Sequence, residues 1–97
     1  MADDLIKKLI VAVGGGPARE YKGRVAWALN NLVAAGERGC TPIDHPGPRW
    51  SDYVHKLRKK GLIVETIDER HGGVYRGSHA RYVLRSQVDV IEREWAA

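Results

Sequence analysis

The sequence predicts an α+β domain in which a three-helix core carries a small antiparallel β-hairpin, with one further helix at each terminus. Two observations lead there. In "RWSDYVHKLRKKGLIVETI", residues 49 to 67, the hydrophobic spacing changes from helical to alternating at a single glycine, Gly61, so a helix runs straight into a strand. After it, two strand-like runs, "LIVETI" and "HARYVLRS", flank "DERHGGVYRGS", whose three glycines suit a long hairpin tip. With 97 residues, 43% hydrophobic and 29% charged, the chain is long enough for one modest core and is neither disordered nor membrane-spanning. It reads as one soluble globular unit.

Taken in order, "DDLIKKLIVAV" places apolar residues at 5, 6, 9, 10 and 13, which predicts a helix over 3 to 12 with Asp3 or Asp4 at its positive end. "GGGP" at 14 to 17 breaks it and reads as a hinge, giving residues 1 to 16 as an N-terminal helix and glycine-rich hinge. A phosphate-binding loop fails in detail here. A Walker loop needs Lys-Ser or Lys-Thr after its last glycine, whereas Lys22 precedes Gly23, and no second strand with an acidic end follows.

Residues 20 to 35 give the first core helix, with Val25, Leu29, Leu32 and Val33 on one face and Gly36 at its stop. Trp27 falls off that stripe and is expected outside the main core, as cover for a terminal helix. Thr41, Pro42 and Asp44 resemble a capping box, so a second helix starts there. His45 before Pro46 limits it to a single turn. Pro48 opens the third helix, residues 49 to 60, with Trp50, Val54 and Leu57 inward, Tyr53 at the edge and Gly61 as its left-handed cap. The unit spanning 17 to 86 ends before "SQVDVIEREWAA", where Val88, Ile91 and Trp95 predict a C-terminal helix over 87 to 97.

Helix, short helix, basic helix, strand, hairpin tip, strand is the order of a winged helix-turn-helix, in which the sheet holds the basic helix so that it projects a readable face. Charge agrees with that reading. Residues 49 to 85 carry nine Lys/Arg against four Asp/Glu, while 1 to 48 carry six against five and 86 to 97 one against three. Clustered positive charge is the footprint of a nucleic-acid binder, although a solvated helix face carries it too.

The segments "CTPIDHPGPRWSDYVHKLRKKGL" and "HGGVYRGSHARYVLRS" also resemble the short winged helix-turn-helix proteins of bacteria and their phages, over about residues 21 to 86. The chain departs from them in the stub helix around Ile43, which is usually longer. The resemblance implies a DNA-binding fold, with the third helix for recognition and the hairpin, 68 to 78, as wing. By position it offers Ser51, Asp52 and His55 to base edges and Arg49, Lys56 and Lys59 to phosphates, with Arg58 a further DNA-binding residue of the same helix. Arg70 and Arg76 suit phosphate or the minor groove from the wing, which His71 and His79 flank.

The expected function is therefore a DNA-binding protein, a small transcriptional regulator of phage or mobile-element type, with double-stranded DNA as partner. The alternative is a winged helix that meets an acidic protein through the same face. Cys40, His45, His55, His71 and His79 show no zinc-site spacing, and Cys40 reads as a buried structural thiol with no organised base, so neither metal, cofactor nor enzymatic chemistry is expected. The lone cysteine and the acidic start "MADD" favour the cytoplasm. Leu5, Leu9, Trp27, Ile91 and Trp95 are spare apolar positions. They suit either a two-fold interface through the terminal helices or the folding of those helices onto the first core helix.

Overall fold

The computed structural model describes residues 5–47, 49–72 and 77–96. In chain order the elements are β1 (Ile6–Val13), β2 (Ala18–Lys22), α1 (Gly23–Ala35), α2 (Trp50–Lys59), β3 (Val64–His71), β4 (Gly77–Leu84) and β5 (Val88–Trp95), with a 3-10 turn at Gly36–Arg38 after α1. They form an antiparallel sheet in the order β2-β1-β5 and a separate hairpin, β3-β4.

Both segments expected as terminal helices are strands of that first sheet. On β1 a β-bulge explains the misleading spacing, whereas on β5 the stripe Val88, Ile91 and Trp95 is not an inward face, since Ile91 and Trp95 are exposed; the pairing carries two bulges in all. The β1/β5 register passes from Ile6↔Trp95 to Lys8↔Glu94, which inserts Lys7, and from Ile10↔Glu92 to Val11↔Val90, which inserts Ile91. An inserted residue resets the two-residue alternation, so inward positions fall three apart as they do on a helix. On β1 the buried set is Ile6, Leu9 and Val11, and β-branched side chains fill a paired strand better than a helix. Gly14 and Gly15, at φ 58° and 75°, turn β1 into β2, and the Gly16 N–H donates to the Val13 carbonyl at 3.0 Å. Positive φ at two successive central residues is the hairpin geometry that glycine supplies without strain.

The core holds two helices rather than three. At Thr41 the expected cap is present: its Oγ1 accepts the Asp44 N–H at 3.0 Å, and the His45 N–H donates to the Thr41 carbonyl at 2.9 Å. One turn forms and no helix follows, because Pro46 has no N–H to continue the ladder. The Trp50 indole N–H instead donates to the His45 carbonyl at 2.6 Å, tying this turn to α2.

α1 buries Ala26, Trp27, Ala28, Leu29 and Leu32. Four consecutive buried residues mean that it is covered on more than one side, by β1 and by α2. Trp27 therefore lies in the core and not outside it: its ring centroid is 5.4 Å from that of Trp50 and 6.3 Å from that of Tyr53.

The hairpin joins this core through Val64, Tyr82 and Val83. Tyr82 stacks on Trp50 with centroids 5.8 Å apart, and its backbone exchanges two 2.8 Å hydrogen bonds with Cys40 on the side of β4 away from β3. That extra pairing buries Val83 as well as Tyr82, so both faces of β4 are covered there. It also requires Gly39, φ 71°, where a Cβ would sit 2.5 Å from the Tyr82 carbonyl oxygen.

Candidate nucleic-acid interface

α2 turns Trp50, Tyr53, Val54 and Leu57 inward and leaves Ser51, His55, Lys56, Arg58 and Lys59 exposed. Lys56, Arg58 and Lys59 occupy its last turn, where the carbonyl end of the helix favours cations. Arg49 is exposed at the start, and its carbonyl accepts the Tyr53 N–H at 3.0 Å.

These side chains are not equivalent. Arg58 is committed to the fold: Nε and Nη2 donate to the Val64 carbonyl at 3.1 and 2.6 Å, and Nη2 also donates to Thr66 Oγ1 at 2.8 Å. It therefore locks the helix to β3. Asp52 and Lys56 form an i,i+4 pair at 3.2 Å. Arg49, His55 and Lys59 have no carboxylate partner among the described residues, and with Ser51 they form the side of α2 that is free to meet a ligand.

Along the hairpin, charge is sorted by face. Glu69 and Arg81 are diagonal neighbours across the strands: Arg81 Nε donates to Glu69 Oε2 at 2.5 Å and Nη2 to Oε1 at 3.0 Å, and His79 Nε2 lies 3.2 Å from Oε1. Arg81 also donates to the Arg38 carbonyl at 2.8 Å. The Arg81 guanidinium holds the Glu69 carboxyl below its usual range, and that carboxylate in turn raises Arg81. Glu65 and Arg85 repeat the diagonal at 2.7 Å. Strand alternation places Thr66, Asp68 and Arg70 on the other face, and Arg70 is exposed. Arg76 lies outside the described residues, as does the side chain of His71.

Sequence reasoning missed Lys22 and Lys60. Lys60 sits beside α2 with its Nζ 5.4 Å from the Tyr21 ring centroid, and its carbonyl accepts Arg19 Nη1 at 2.7 Å. The "RKKG" run marks Lys60 as basic, but only the pairing of β2 with β1 brings Tyr21 and Lys22 beside it. Cys40 is buried, and burial pushes its thiol up to about 11, so it is protonated at neutral pH and unsuited to nucleophilic attack. No group of three or more His, Cys, Asp and Glu among the described residues is placed to hold a metal ion.

A basic helix seated on a two-stranded hairpin invites comparison with known families, and the winged helix domain family matches residues 18–94. The chain belongs to the winged helix domain family. Winged helix domains are in general non-enzymatic DNA-binding modules. In this winged helix α2 is the helix that precedes the wing and β3-β4 is the wing, while β5 lies within the matched span except for Trp95 and β1 lies before it. No curated protein and no solved structure matches the chain. No helix among the described residues is long and apolar enough to cross a membrane.

Proposed function

We propose that this winged helix is a DNA-binding transcriptional regulator, of the phage or mobile-element type its sequence resembles, acting on duplex DNA in the cytoplasm. The observation that carries the proposal is that Arg49 and Lys59, with His55 on the same side, have no carboxylate partner among the described residues, on a helix whose Lys56 and Arg58 are engaged. An exposed helix fits the major groove, about 12 Å wide. Ser51 and His55 would then meet base edges, Arg49, Lys56 and Lys59 the flanking phosphates, and Arg70 with Arg76 the backbone beside the wing. Asp52 orients Lys56. Any second copy would use Leu5, Ile91 and Trp95, which are exposed, because Leu9 and Trp27 are occupied within the core.

Duplex binding measured against salt tests the reading. Neutralising several phosphates makes log K fall linearly with log salt, with a slope of about −0.9 per phosphate. A steep line on unrelated duplexes supports DNA binding. Absent or salt-insensitive binding favours an acidic protein partner for the same face.

A further inference from the structure

We propose that the cleft between β2, the first turn of α1 and the C-terminal half of α2 binds a phosphate group, supplied by the DNA backbone beside the groove that α2 enters. This rests on the DNA-binding reading and adds to it a phosphate met from the β2 side.

The cleft has a volume of about 560 Å³. Lys22, Lys56, Lys59 and Lys60 line it, against the single carboxylate of Glu20. Lys22 is 3.4 Å from Glu20 and Lys56 is 3.2 Å from Asp52, whereas Lys59 and Lys60 have no carboxylate partner among the described residues. Lys60 is held over the Tyr21 ring, so its charge stands at the cleft wall rather than sampling solvent freely. Tyr21 is 3% exposed, and its ring forms part of the lining beneath that ammonium group.

α1 begins here without a cap. Lys22 makes no side-chain cap bond, the first turn contains no acidic residue, and Val25 of that turn lines the cleft. The first N–H groups of a thirteen-residue helix thus have no side-chain acceptor. Clustered ammonium groups beside a bare helix start call for an anionic ligand with several acceptor oxygens, and phosphate has that chemistry. The backbone is the source that fits the position. Lys56 and Lys59 lie on the exposed side of α2 that carries His55, so a duplex seated on that side brings its phosphates to the cleft. A free phosphate-bearing small molecule shares the recognition chemistry but not that relation to α2.

The test compares the full chain with its Lys22→Gln/Lys60→Gln variant, both shown folded by circular dichroism. Lys22→Gln alone, at an exposed strand position, serves if the pair unfolds. In one arm, duplex affinity is followed against salt. The variant should bind unrelated duplexes more weakly by a similar factor, with a salt slope shallower by about 0.9 to 1.8, which corresponds to one or two phosphates that it no longer neutralises. Equal slopes and affinities overturn the proposal. In the other arm, inorganic phosphate and pyrophosphate are titrated against backbone amide resonances. If the chain binds no duplex, the DNA-binding reading fails by itself, and saturable shifts at 21–25 and 56–60 that vanish in the variant keep the phosphate site with a small-molecule source. No duplex binding and no such shifts overturn it.

Discussion

Where β1 pairs with β5, Glu94 reaches Lys7 at 3.5 Å and Lys8 at 3.3 Å; on α2, Arg49, His55 and Lys59 have no carboxylate partner among the described residues. The pairing is mutual: Lys8 holds the Glu94 carboxyl below its usual range, and Glu94 raises Lys8. Exposed pairs of this kind add little stability, but they neutralise the surface that carries them. Unpaired cations on a rigid helix keep their field available to a partner. Position of charge, more than the formal net charge of +4, separates the two regions.

The largest effect comes from the core that the regions share. Trp27→Ala should remove about 3–5 kcal/mol, as expected for a buried Trp truncation, in urea unfolding. A loss below about 1 kcal/mol would return Trp27 to a peripheral role and uncouple α1 from α2. Next, replacing Arg49, His55 and Lys59 together by Ala should weaken duplex binding and make the salt slope shallower by about 1.8 if Arg49 and Lys59 each meet one phosphate. Helical content should not change, since none of the three is buried. The matching change on the sheet, Lys7 and Lys8 to Ala, should leave the slope where it was. A similar loss in both variants would show that total charge matters and placement does not.

A smaller effect separates the two faces of the wing. Because Arg81 lowers the Glu69 carboxyl in the folded chain, this pair contributes stability that is complete above the ordinary carboxylate range and is lost as pH falls through the folded value. Hydrogen exchange at β3 and β4 should therefore quicken on acidification in the wild type and much less so in Glu69→Gln. Equal acid sensitivity in both would show that the pair does not hold the wing.

The central part of the fold is legible in the sequence because its signals are local. Gly61 follows α2 at φ 89°, the strand-tip-strand pattern gives β3-β4, and Thr41 caps its turn as its spacing predicts. The terminal strands are not legible. The inward positions of β1 depend on the bulge at Lys7, and a bulge exists only when a partner strand is present to define it, while on β5 the apolar Ile91 and Trp95 that suggest a helix are exposed. Trp27 is misplaced for a related reason: a stripe argument assigns one covered side to a helix, and α1 has two. Charge alone also hides the division within the site. Arg58 and Lys59 are adjacent and both cationic, yet Arg58 is bound to Val64 and Thr66 while Lys59 lines an open cleft.

The most direct measurement is the map of backbone amide shifts when a short duplex is titrated into the labelled chain. Shifts should concentrate at 49–60, along 66–72 and 77–80 of the wing and at 21–25 beside the cleft, with β5 and the outer positions of β1 silent. Shifts centred on Val88–Trp95, with α2 unperturbed, would place the functional surface on the sheet and contradict this account.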